Sequence, residues 1–270
     1  MSRITACLEA LKKQGRKALV PYFVAGDPNL EFTVPMMHAL VEQGADIIEL
    51  GVPFSDPMAE GSVIQLAHER ALEHQVSLRD IMALVKEFRR SNQETPVVLM
   101  GYANPVHQMG YQQFAETAAD SGVDGLLTVD LPPEEAVSLN MALKKVNVDS
   151  IFLIAPTTTD DRIKQIAELA TGYIYYVSLK GVTGAGHLDV DSVREKLSTI
   201  NAITDLPVTV GFGIKDPESA AMIAKLAEGV VVGSALVART AELSANNDQQ
   251  VTIEQSIELI GKMRQAMDAA

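Results

Sequence analysis

Glu49 interrupts an otherwise apolar strand pattern, Asp46-Ile47-Ile48-Glu49-Leu50-Gly51, close to its C-terminal end. A carboxyl group in such a setting is poorly hydrated, so its pKa rises and it can exchange a proton near neutral pH. The competing reading turns it outward, paired with a cation on a neighbouring helix. The loop that follows, Pro53-Phe54-Ser55-Asp56-Pro57-Met58-Ala59-Glu60-Gly61-Ser62, is too rich in Pro and Gly for helix and too long for a minimal turn. Loops of this kind act as lids or present a surface to a partner. Of its two acids, Glu60 is placed to be a second active-site carboxylate, while Asp56 serves equally well as a turn cap.

Two glycine clusters lie further on, Gly181-Val182-Thr183-Gly184-Ala185-Gly186 and Gly211-Phe212-Gly213-Ile214, and Gly233-Ser234 opens a helix pattern. Backbone N–H groups at glycine turns and at helix N-termini cradle phosphate. Tyr175 and Tyr176 are neighbours on a strand pattern, so one faces inward and the other packs against a helix. Other chemistries find no support. The five histidines are scattered without metal-ligand spacing, mostly on surface or helix faces, and there is no GxSxG elbow or GxxxxGK[ST] loop. The run 181–186 has the wrong order for a dinucleotide fingerprint, and Lys180 beside it reads as a solvated lysine rather than a Schiff-base one.

These residues need a frame. Short apolar runs recur at 18–23, 45–50, 96–101, 125–129, 150–154, 173–177, 207–211 and 229–232, each apolar along its length as doubly covered strands are. Helix patterns follow them, among others at 33–43, 78–90, 111–120, 133–145, 159–170, 191–203 and 217–226. Strands alternating with helices imply parallel βαβ units. Eight such units predict an α/β protein with one (β/α)8 TIM-barrel domain over 1–270, an extra helix at its N-terminus and a last helix at 253–267 after a surface loop at 244–250. An open, doubly wound sheet is the alternative. In a barrel the active site lies at the C-terminal ends of the strands, and phosphate sites favour the loops after strands 7 and 8. That rule gathers Glu49, Glu60 and the glycine clusters into one mouth.

A formal net charge of −13 disfavours nucleic acid and anionic lipid, and no basic stripe offsets it. A phosphate here must be held by local dipoles. The single cysteine, Cys7, fits a reducing compartment and reads as a small packed hydrophobe. The N-terminus lacks the apolar stretch of a signal peptide and no run is long enough for a membrane span, so a cytoplasmic location is expected.

Several of these segments together resemble the tryptophan synthase alpha subunit family. They are Pro21-Tyr22-Phe23-Val24-Ala25-Gly26-Asp27-Pro28, the highly specific Glu49-Leu50-Gly51-Val52-Pro53-Phe54-Ser55-Asp56-Pro57, Gly181-Val182-Thr183-Gly184-Ala185, Gly211-Phe212-Gly213-Ile214 and Gly233-Ser234-Ala235. The resemblance runs over essentially the whole chain. It implies retro-aldol cleavage of indole-3-glycerol phosphate to indole and glyceraldehyde 3-phosphate, with no cofactor in this subunit. Glu49 would be the general acid/base and the acid at 60 would bind the indole N–H. Tyr175, Thr183, Phe212 and Tyr102 would line the substrate site, and Gly184, Gly213, Gly233 and Ser234 would hold the phosphate. Pro53, Asp56, Pro57, Asn104 and Pro132 would face a pyridoxal-phosphate beta subunit in an alpha2beta2 assembly that consumes the indole.

Two departures stand out. The family usually has Asp where this chain has Glu60, and Pro where it has Ser62. One added methylene moves a carboxylate by roughly 1 Å, a misplacement that can cost about a hundredfold in rate, and losing Pro frees the loop backbone. Two alternatives follow: a catalytically weakened barrel that mainly regulates its partner, or another phosphate-binding barrel of the sugar-phosphate isomerase type.

Overall fold

Eight strands run parallel and pair in chain order until the last meets the first, closing a barrel. They are β1 (Ala18–Val24), β2 (Ile48–Gly51), β3 (Val97–Gly101), β4 (Gly125–Thr128), β5 (Asp149–Ile154), β6 (Ile174–Val177), β7 (Val208–Gly211) and β8 (Gly229–Val232). The computed structural model describes residues 1–178, 190–211 and 213–270. Closure rules out the open sheet. The strands are buried nearly throughout, which is why they read as continuous apolar runs instead of alternating ones.

Around the barrel lie α1 (Arg3–Lys13), α2 (Leu30–Glu42), α3 (Ser62–Glu73), α4 (Leu78–Phe88), α5 (Ala103–Met109) and α6 (Tyr111–Ser121). The second half adds α7 (Pro133–Lys145), α8 (Asp160–Leu169), α9 (Val190–Asn201), α10 (Pro217–Ala224), α11 (Ser234–Ser244) and α12 (Gln249–Asp268). No helix among the described residues is long and apolar enough to cross a membrane.

Where boundaries differ from the sequence pattern, side chains explain the difference. Asn29 caps α2 by accepting the Phe32 N–H at 2.9 Å, so the helix starts before its apolar pattern. Pro35 then sits inside α2. Its missing N–H leaves the Glu31 carbonyl without its helical donor, and the Gln249 side chain supplies one at 3.2 Å. β2 starts late because Asp46 is engaged through its carboxylate, by the Leu19 N–H at 2.8 Å and by Arg264 at 3.1 Å. Asp248 caps α12 by accepting from Val251, drawing that helix start back to Gln249. Two helices are absent from the sequence reading. The buried face of α3 is Ile64, Ala67, His68 and Ala71, too small and polar for a clear periodic signal, and α5 is short and contains Pro105.

The first helix closes the N-terminal end of the barrel. Ile4 on it is fully buried. Arg3 donates to the Gln93 carbonyl at 2.7 Å and to Asp124 at 2.8 Å, groups that precede β3 and β4. Asp124 also takes buried Arg89 at 2.6 Å and the Val97 N–H at 2.8 Å. Removing this carboxylate strands a buried guanidinium, which typically costs about 3–5 kcal/mol. Asp124→Ala is therefore expected to lower the unfolding free energy, read from denaturant titration, by that amount while leaving the titrations at the far end of the barrel unchanged.

Cys7 is half-buried, with its thiol 3.5 Å from the Asp46 carbonyl. Burial pushes its pKa up to about 12, so it carries no reactive thiolate. It is a packing residue.

Candidate active site

β2 delivers Glu49 into the barrel. The residue is fully buried, and across the ladder it faces Tyr22 of β1 and Val98 of β3. The Tyr173 hydroxyl donates to its Oε1 at 3.4 Å, and Oε2 has no hydrogen-bond partner among the described residues. Burial, the nearby Glu60 carboxylate and, in the opposite direction, the Tyr173 hydrogen bond set its pKa, which is pushed up to about 8. A group with that pKa is a neutral acid at pH 7. Outward pairing with a cation is excluded.

Glu60 reaches the same space from the loop after β2. It is half-buried, and burial pushes its pKa up to about 7. The loop is held at several points. The Ala59 N–H donates to the Tyr102 hydroxyl at 3.0 Å, and Gln65 of α3 donates to the Glu60 carbonyl at 2.9 Å. The Phe54 ring stacks on Tyr102 with centroids 4.9 Å apart. Tyr102, expected against the substrate, thus supports the acidic loop from outside the cavity lining.

The two carboxyl groups line one cavity of about 240 Å³, together with Tyr22, Met100, Tyr175, Ile64 and Val231. Gly213, Gly233 and Ser234 line it too. Gly233 precedes α11 without a side-chain cap, leaving first-turn N–H groups to face a ligand. A larger cleft of about 540 Å³ opens at the opposite end, beside α1 and the start of β7, but it holds neither of these acids. In a barrel the C-terminal end carries the chemistry.

Tyrosine placement follows strand alternation. Tyr173 and Tyr175 share the inward face, Tyr175 lines the cavity, and Tyr176, fully buried, lies outside its lining. A side chain at 211 would put Cβ within 2.0 Å of the Tyr175 oxygen, so only Gly leaves room for that side chain. Gly51 does the same for Tyr22, whose oxygen would meet a Cβ at 2.5 Å.

Two site residues are invisible to the sequence reading. Tyr22 is hidden inside an apolar run. His68, on the inner face of α3, is 2% exposed and accepts the Phe54 N–H. Alternation would have found Tyr173 from Tyr175. Nothing local marks His68, because its partners come from a strand and a loop. Thr183, Gly184 and Phe212 lie outside the described residues.

Of the partner-facing set, Asp56 and Asn104 are exposed, Pro57 and Pro132 are half-buried, and Met58 beside them is 78% exposed. Pro53 is buried and presents no surface.

Against known proteins, the family model described as Tryptophan synthase alpha chain matches residues 8–268. The chain belongs to the tryptophan synthase alpha chain family. Relatives of that name include one from Thioalkalivibrio sulfidiphilus, 61% identical over 99% of this chain and 100% of its own. Another, from Marinobacter nauticus, is 57% identical over 100% of this chain and 99% of its own. Among solved structures, tryptophan synthase subunit alpha from Legionella pneumophila superposes with a TM-score of 0.92 at 46% identity, covering 100% of both chains. The tryptophan synthase of M. tuberculosis in its aminoacrylate-bound form superposes at 0.87 with 34% identity, over 99% of this chain and 100% of that one. The alpha-chain family is thus established along the full length, and the barrel with it.

Proposed function

We propose that this cavity cleaves indole-3-glycerol phosphate into indole and glyceraldehyde 3-phosphate. The observation that carries the reading is one cavity lined both by two carboxyl groups of raised pKa and by an uncapped helix N-terminus beside glycines. The phosphate sits at Gly213, Gly233 and Ser234, held by backbone donors and the α11 dipole, which resolves the problem of binding an anion on a chain of net charge −13. The resemblance adds Thr183, Gly184 and Phe212, which lie outside the described residues. The indole ring lies among Tyr22, Met100, Tyr175 and Ile64.

Glu49, neutral, delivers its proton to indole C3. Glu60, ionised, accepts the indole N–H and offsets the positive charge that grows on the ring. The carboxylate left on Glu49 then takes the proton of the side-chain hydroxyl next to C3. As that carbon becomes the aldehyde, the bond to C3 breaks and its electron pair restores the aromatic ring. Glu49 ends as it began. The scheme asks nothing of a cofactor in this chain.

The cavity is productive when Glu49 holds its proton and Glu60 has lost its own. From values of about 8 and about 7, kcat/KM for the ligand-free protein should rise through pH 7 and fall beyond pH 8. A rate that stays flat from pH 6 to 9 would remove both acids from the scheme.

The exposed face of Asp56, Met58 and Asn104 suits a pyridoxal-phosphate beta subunit, in an alpha2beta2 assembly in the cytoplasm. The direct test is indole release from indole-3-glycerol phosphate, with and without that subunit. Steady release, faster with the partner, is expected; no indole under either condition overturns the reading.

A further inference from the structure

Two buried groups at the cavity transfer no proton in the scheme above. His68 sits on the inner face of α3. Its Nδ1 accepts the Phe54 backbone N–H at 2.9 Å, and its Nε2 lies 3.5 Å from the Tyr22 hydroxyl. A backbone N–H can only donate, so Nδ1 is bare and a neutral ring carries its hydrogen on Nε2. Burial pushes the pKa of His68 down to about 4, so the ring is neutral wherever the site works. Nε2–H then points to the Tyr22 oxygen, which leaves the hydroxyl's own hydrogen for a different acceptor. Tyr22 lines the cavity with Glu49 and Glu60, and Phe54 lies at the root of the loop that carries Glu60.

We propose that His68 is a positioning residue for the cleavage reaction. Its ring pins the root of the Glu60 loop through the Phe54 N–H and turns the Tyr22 hydroxyl so that its hydrogen faces the cavity. It touches no substrate itself, and its catalytic effect rests on the lyase reading of the site. One ring joins a strand to a loop, so a change at 68 is felt on both walls at once.

The two contacts can be separated. Asn at 68 places an acceptor where Nδ1 stands, while Gln places a donor where Nε2 stands. His68→Leu removes both. In the full chain with its beta subunit, His68→Leu and His68→Gln should lower kcat for indole release roughly 10- to 100-fold with KM little changed, the cost of a loop displaced by about 1 Å. His68→Asn should keep most of the rate. Hydrogen exchange supplies a readout independent of activity: the Phe54 amide should exchange slowly in wild type and His68→Asn, and fast in His68→Leu and His68→Gln. Tyr22→Phe should slow the wild type by a few-fold and His68→Asn by a smaller factor. His68→Leu with an undiminished kcat and a protected Phe54 amide would overturn the proposal. Protection that follows the Nδ1 acceptor in a chain releasing no indole would instead overturn the lyase reading and leave the anchor standing.

Discussion

Replacing Glu49 by Gln should cut indole release by a factor of about 10³ or more while leaving the protein folded and able to bind phosphate. General acid–base groups typically contribute about 10²–10⁴ in rate, and here one carboxyl both gives and takes the proton. Gln is close in shape and neutral, as Glu49 is at pH 7, so the cavity keeps its form. The same substitution should stabilise the fold. Unfolded, the carboxyl loses its proton near 4.5; folded, it keeps it to about 8. Folding at pH 7 must therefore restore a proton, a penalty of about 3 kcal/mol at about 1.4 kcal/mol per unit. The penalty is absent below pH 4, grows up to pH 8 and then levels. Thermal midpoints of wild type and Glu49→Gln should thus coincide at pH 4 and separate as pH rises. A variant that turns over normally, or one whose stability gain is the same at every pH, would contradict this role for Glu49.

Glu60 decides whether the chain is an efficient lyase or a weakened one. Glu60→Gln keeps the shape and removes the anion, so the charge on the indole ring goes unmet and kcat should fall about 10²–10³-fold. Glu60→Asp restores the acid usual in the family but withdraws it by roughly 1 Å. The loop here is anchored around the longer residue, through Tyr102 to Ala59 and through Gln65 to the Glu60 carbonyl. Asp should therefore slow the reaction about 10- to 100-fold. Steady-state rates with the beta subunit decide it. A large gain with Asp would mean that Glu60 is misplaced and that the barrel acts chiefly on its partner.

Much of this was legible in the residues because each feature had a local cause. Doubly covered strands read as unbroken apolar runs, and β8 and α7 match their patterns residue for residue. Glu49 betrayed itself by breaking such a run. Gly213, Gly233 and Ser234 converge because the fold places the ends of β7 and β8 side by side. What escaped depends on distant partners. Tyr102, which the resemblance assigns to the substrate site, also holds the loop, since its hydroxyl accepts the Ala59 N–H. Tyr22 looks like any apolar strand residue until Gly51 makes room for its oxygen. His68 carries no mark at all, since α3 shows a weak apolar stripe and the histidine completes it.

The central claim is that one buried carboxyl stays protonated at neutral pH beside another that does not. A carbon-detected titration of glutamate carboxyl groups in the ligand-free protein, assigned with Glu49→Gln and Glu60→Gln, measures it directly. Two carboxyls titrating near pH 8 and pH 7 are expected, with the Glu49 midpoint falling when Glu60 is neutralised. Both midpoints near 4.5, the ordinary glutamate value, would contradict the account.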